Sequence, residues 1–154
     1  MNLIFFDLES QFLFDEVGGR GNIDKLKVAC GVTYSTAKND FKVYWEQDVP
    51  ALIEELKSAT KVIGFNLRGF DYLVLQPYSP ETRFASLPTL DLLLDLQKIL
   101  GFRISLDNIA SATLGTAKTA DGVQSVHWFR SGELEKVAEY CKADVDITRR
   151  VYEF

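Results

Sequence analysis

The sequence is poor in the residues that small stapled or metal-ribbon domains depend on. Its only cysteines, Cys30 and Cys141, stand far apart and without the short spacing of a zinc site. That excludes a disulfide framework and a zinc ribbon, and leaves two buried thiols in a reducing compartment as the expectation. Histidine occurs once, at His127, and proline only four times. No apolar run is long enough to span a bilayer: the first, NLIFF, is broken by Asp7 and has no basic leader. A cytoplasmic protein without a membrane partner is therefore expected. Basic residues are also in the minority, 17 against 22 acidic, giving a net charge of −5. This argues against a broad basic surface that grips nucleic acid, while leaving room for an acidic site whose charge bound cations offset. Low-complexity tracts and repeats are missing too. The 47% hydrophobic content over 154 residues is that of a single folded domain, expected to span residues 1–154.

What is present first draws attention at FFDLE. Residues 3–9 read as a strand, so Asp7 and Glu9 share one face and Leu8 points to the other. Two like charges side by side among aromatic residues are costly unless something positive sits between them. The pair calls for a cation.

Residues 25–34 and 40–46 read as two further strands joined by the polar turn STAKN, which makes an antiparallel three-strand meander with the first. The stretch between the first two strands, residues 11–24, carries three glycines and is expected to be a mobile loop at the edge of any site near Glu9. VPALIEELKSA places Val49, Leu52, Ile53 and Leu56 on one helical face, with Pro50 near its start. KVIGF is then a short buried strand, and the strand, helix, strand order lays it parallel to the first strand. Residues 69–75 read as a short helix ended before Pro77. TLDLLLDLQKILGF reads as one amphipathic helix closed by Gly101, and SLDNIASATLG as another, capped by Ser105 and closed by Gly115. Residues 131–154 are expected to be helical throughout, with a bend near Cys141. The fold class is α/β: a mixed sheet with the meander at one side and helices packed over it.

Asp71 falls in the first turns of the helix after the fourth strand, and Asp144 on the last helix. Tyr140 is four residues before Asp144, so a phenol and a carboxylate share one helical face. In order and separation, FDLE, NLRGFD and YCKAD resemble the DEDD superfamily of 3′→5′ exonucleases, in its tyrosine branch. The resemblance covers nearly the whole chain and implies a ribonuclease H-like fold. It also implies a metal-dependent exonuclease that hydrolyses phosphodiester bonds at the 3′ end of single-stranded DNA or RNA. By this resemblance Asp7, Glu9, Asp71 and Asp144 are the metal-binding acids and Tyr140 the fifth catalytic member. Two Mg2+ or Mn2+ ions are implied, cations that prefer oxygen ligands. Asp7, on a rigid central strand, is the candidate bridge between them. Glu9 and Asp144 are then assigned to the first ion and Asp71 to the second, through water. Tyr140 orients the attacking water, because an ordinary phenol, with a pKa of about 10, is a poor base near neutrality. Ser10, Asn66, Arg68 and Phe70 are the implied substrate contacts, with Arg20 a weaker candidate.

Other residues compete for attention. His127 lies too far upstream of Asp144 to match the family's histidine branch, and a structural or surface role is expected. Trp128 and Phe129 could stack on a base, but core packing is the commoner use of such a pair. Asp91 reads as a first-turn acid favoured by the helix dipole and Asp95 as a solvated residue. Asp146, two residues beyond Asp144, turns about 200° away from it. Two alternatives remain open: a nucleic-acid-binding or scaffold module with little turnover, and an endonuclease of the same fold. A compact exonuclease of net negative charge is also expected to hold substrate weakly unless a protein partner supplies grip.

Overall fold

The computed structural model describes residues 1–115 and 121–154. Strand β1 (Leu3–Ser10) is followed by β2 (Val28–Ser35) and β3 (Asp40–Trp45), then helix α1 (Val49–Ser58) and strand β4 (Lys61–Gly64). A π-helical turn over Leu67–Asp71 leads into α2 (Tyr72–Leu75). Strand β5 (Thr89–Asp91), α3 (Leu92–Leu100), α4 (Leu106–Leu114), α5 (Gly122–Arg130) and α6 (Leu134–Glu153) complete the described chain. The strands form one sheet in the order β3-β2-β1-β4-β5. β1, β2 and β3 pair antiparallel, whereas β4 runs parallel to β1 and β5 parallel to β4. The expected mixed sheet, meander and flanking helices are all present.

The two faces of β1 explain the two cores. Ile4, Phe6 and Leu8 point to one side and pack with Leu52, Ile53 and Leu56 of α1 and with Leu67 and Leu75. Phe5 points to the other side, packing with Val32, Ile63 and the Val137, Cys141 and Val145 stripe of α6. Each such buried aliphatic or aromatic side chain contributes about 1.5–3 kcal/mol relative to exposure. β2 is buried along its whole length, since it is covered on both faces. Gly31 sits where α1 crosses it: a Cβ there would lie 2.9 Å from Leu52 Cδ2.

Four expectations need correcting. Residues 11–24 hold ordered 3-10 turns, Phe14–Val17 and within Arg20–Lys25, because Phe14, Val17 and Ile23 pack against the first core. Residues 89–102 do not form one helix: Thr89–Asp91 pairs with Val62–Gly64 as an edge strand, and α3 starts only at Leu92. The helical pattern of LDLLLDL concealed a backbone that finds its partner across the sheet. The last helix begins at Leu134, after a turn in which Gly132 has φ 77°, and runs unbroken through Cys141 to Glu153. Between α4 and α6, α5 was not expected at all; its N-cap is Asp121, whose side chain accepts from the Gln124 N–H at 2.9 Å. No helix among the described residues is long and apolar enough to cross a membrane.

Candidate metal centre at the open end of β1

β1 pairs with β4 only through Leu3, Ile4 and Phe5. Beyond Gly64 the chain leaves the sheet: Asn66 adopts a left-handed conformation, φ 64°, and the π-helical turn begins. A short polar residue tolerates that conformation better than a branched one. From Asp7 onward, therefore, the β4 side of β1 is free of strand pairing, which opens a cleft beside it. Leu8 N–H, on that side, donates to Asp71 Oδ2 at 3.0 Å. One main-chain donor at the break in the sheet thus fixes the carboxylate delivered by the next element. On the opposite side the pairing of β1 with β2 shifts register between Glu9 and Ser10, an irregularity of the kind that re-aims side chains next to functional sites.

Asp71 is the least exposed acid, at 1%, with Asp144 at 5% and Glu9 at 8%; Asp7 is half-buried. Burial, and then the nearby Asp7 carboxylate, hold the Asp71 carboxyl well above the ordinary range. Asp7 and Asp144 line one cavity of about 470 Å3 with Asn66, Arg103, Ser105 and Thr148. Thr148 Oγ1 donates to the Asp144 carbonyl at 2.8 Å, tying that turn of α6 together. Tyr140, 4% exposed, packs edge-on against Trp128 with ring centroids 6.3 Å apart. Asp7 is thus in one neighbourhood with Glu9, Asp71 and Asp144, and Tyr140 lies one turn before Asp144 on α6.

Cys141 also belongs to this neighbourhood. Its Sγ lies 3.4 Å from the Asp7 carbonyl and 3.8 Å from Asp7 Oδ2. Ligand atoms of Asp7, Glu9 and Cys141 all fall within 4.8 Å of one another. Burial, with Cys30 and Asp7 beside it, pushes the thiol up, so it is a weak donor toward a cation rather than a thiolate ligand. The remaining donors are carboxylate oxygens, a set that fits a hard divalent cation such as Mg2+ or Mn2+. Its position, one residue past Tyr140 and three before Asp144 on the same helix, was the available signal in the sequence.

The other candidates separate. Ser10 Oγ donates to the Phe12 carbonyl at 3.0 Å, closing the turn after β1. Arg68 is exposed, and its guanidinium donates to the Ala85 carbonyl at 3.2 Å. Phe70 is half-buried and meets Phe14 edge-on at 6.2 Å. His127 is exposed, Asp146 pairs with Arg149 at 3.0 Å, and Trp128 and Phe129 pack against the second core. Asp91 is not a first-turn acid. It is the buried N-cap of α3, and its carboxylate accepts from Leu93 N–H at 3.2 Å, Asn66 N–H at 2.8 Å and Arg68 N–H at 3.0 Å. It ties the turn that carries Asp71 to the edge strand. Arg103 carried no signal in the sequence beyond its charge, yet it faces the acid cavity.

Among solved structures, the chain is similar to a family B DNA polymerase from the hyperthermophilic archaeon Pyrobaculum calidifontis, with a TM-score of 0.75 at 14% identity. The alignment covers 99% of this chain and 24% of the polymerase chain, so the likeness concerns the fold and a quarter of that protein's length. No curated protein sequence matches. The family model of the RNase_H superfamily matches residues 4–154. The mixed five-strand sheet, the acids gathered where β1 outruns β4, and this match over nearly the whole chain lead to one conclusion: the chain belongs to the RNase_H superfamily.

Proposed function

We propose that this chain is a 3′→5′ exonuclease of the tyrosine branch of the DEDD superfamily, hydrolysing phosphodiester bonds at the 3′ end of single-stranded DNA or RNA. The observation that carries this reading is the gathering of Asp7, Glu9, Asp71 and Asp144 at the open end of β1, with Tyr140 on the same helix as Asp144. Superfamily membership supports a hydrolase acting on nucleic acid, and the ordered motifs of the sequence support the exonuclease branch. Asp7, Glu9, Asp71 and Asp144 would hold two Mg2+ or Mn2+ ions, Asp7 serving both, Glu9 and Asp144 the first and Asp71 the second. When bound, such a pair stabilises both the attacking and the leaving oxygen of an in-line displacement at phosphorus.

The chain's own groups do the rest. Leu8 N–H holds the Asp71 carboxylate in place, which would orient this acid toward a cation. Tyr140 orients the attacking water through its hydroxyl, and its ring is steadied by Trp128. Asn66, on the wall of the acid cavity, contacts the strand being cut. Ser10, Arg68 and Phe70 are the further substrate contacts in this reading.

Incubation of the purified chain with 5′-labelled and 3′-labelled single strands and Mn2+ tests it. Progressive shortening of the 5′-labelled strand is expected, with immediate release of label from the other. No shortening with either metal at any pH overturns the proposal. Asp7→Ala is expected to abolish turnover with an unchanged circular dichroism spectrum. Calorimetric titration with Mn2+ separates a catalytic chain from a binding module, which would take up no ion.

A further inference from the structure

Helix α6 meets β1 at a cysteine. Val137, Cys141 and Val145 form the fully buried stripe that α6 lays on the second core, and within it Cys141 touches Asp7. Its Sγ lies 3.4 Å from the Asp7 carbonyl oxygen and 3.8 Å from Asp7 Oδ2, so main chain and side chain of one acid face the same sulfur. A thiol has a single proton to donate, and both of these neighbours are acceptors. Tyr140 stands one residue before Cys141 and Asp144 three residues after it on the same helix. The contact therefore falls between the two groups that α6 brings to the acid centre.

The other members of the stripe are valines, which cannot orient a carboxylate. Cys30 of β2, the second buried thiol, turns to its own neighbour, with Sγ 3.9 Å from the Gly31 carbonyl. Cys141 thus does for Asp7 what Leu8 N–H does for Asp71: it brings a donor from a neighbouring element to the carboxyl group. A carboxylate that serves two ions has to keep one rotation of its side chain, and hydrogen-bond partners of metal ligands are the usual means of fixing it. A larger residue in place of Cys141 would also overpack the crossing and push α6 off β1.

We propose that Cys141 is a positioning residue for Asp7. Its S–H steers the Asp7 carboxylate, and its small side chain sets how closely α6 brings Asp144 and Tyr140 to that acid. It touches neither ion nor nucleic acid and acts only through Asp7. The inference rests on the metal reading of the acids and adds to it a donor at a position that the tyrosine-to-aspartate spacing leaves open.

Calorimetric titration with Mn2+ and thermal unfolding of the metal-free chain in EDTA are measured side by side. The proteins are wild type, Cys141→Ser, Cys141→Ala, Cys141→Val and, as a packing control, Val137→Ala. Serine keeps a donor but buries a more polar group, whereas alanine is apolar and has no donor. The two readouts are therefore expected to rank the variants differently. In melting temperature, serine falls at or below alanine. In Mn2+ affinity, serine stays within about twofold of wild type, while alanine weakens on the order of tenfold, the low end for a lost partner of a metal ligand. Valine, without a donor and with added bulk, weakens affinity at least as much as alanine. Val137→Ala lowers the melting temperature and leaves affinity unchanged. Alanine, small and apolar, carries the test by itself should the serine variant not fold. Affinity that follows melting temperature through the series, or an alanine variant that binds Mn2+ as wild type does, overturns the positioning role and leaves the metal reading standing. A wild type that takes up no Mn2+ overturns both.

Discussion

The fold resists the charge of Asp71. Burial and Asp7 hold its carboxyl well above the ordinary range, so the folded metal-free chain retains a proton that the unfolded chain releases near pH 4. The stabilisation this proton brings is complete below the unfolded pKa and is lost as pH rises toward the folded one. In EDTA, the melting temperature of wild type relative to Asp71→Asn should therefore fall as pH is raised from about 4, a difference readable by circular dichroism. The amide keeps an acceptor for Leu8 N–H but carries no charge, so at neutral pH the metal-free variant should be the more stable. Each kcal/mol is worth roughly 2–4 °C in a chain of this size. Cys141 makes a second prediction at this scale. Buried, with its thiol pushed up by desolvation, it should react with a disulfide reagent only when the chain unfolds. Prompt reaction in native buffer would contradict the packing of α6 on β1.

The elements meet through a few side chains that no periodicity reveals. Asp91 caps α3 and at the same time takes the Asn66 and Arg68 N–H groups. Asp91→Ala leaves three main-chain donors without this acceptor and should cost about 3 kcal/mol or more, since hydrogen bonds to charged groups are the stronger kind. Because Asp71 rides on the same turn, Mn2+ affinity by calorimetry should weaken along with urea stability. Gly31 makes the corresponding point between strand and helix. Val at this position drives Cβ to 2.9 Å from Leu52 and should destabilise by about 1–3 kcal/mol. Both effects belong to the spacing of elements and to neither element alone.

At the scale of the whole molecule, the chain concentrates negative charge in one cleft and keeps cations beside it. Four carboxyl groups gather at the open end of β1, Asp71 holding a proton in the metal-free chain, and in the proposed reading divalent ions displace that proton and offset the charge. Mn2+ at a hundredfold its dissociation constant should add about 2.7 kcal/mol of stability. A thermal shift titration reads this, and Asp7→Ala should remove most of the shift. Circular single strands tell end-directed from internal cleavage: the proposed activity leaves them intact, whereas an endonuclease of the same fold opens them.

Much of this was legible from local pattern. The alternation of β1 put Asp7 and Glu9 on one face, and the α-helical period put Tyr140 with Asp144, because both periods are properties of a single element. The stripe Val49, Leu52, Ile53 and Leu56 likewise announced α1 and its buried side. Short elements with mixed signals were less legible. Thr89–Asp91 is a strand because Val62–Gly64 offers its free edge, and Phe14 orders a glycine-rich segment because a core lies beneath it. Periodicity could not show these partners, which are remote in the chain.

The sequence thus set which groups share a face, through the fixed geometry of strand and helix. The tertiary structure set which faces meet. It ended β4 early beside Asp7, aimed Leu8 N–H at Asp71, and moved Asp91 from helix end to buried pin. It also placed the Cys141 thiol against Asp7 and brought Arg103 to the wall of the acid cavity. Those outcomes depend on where one element stops and another crosses it, and that is decided by the packing of the whole chain.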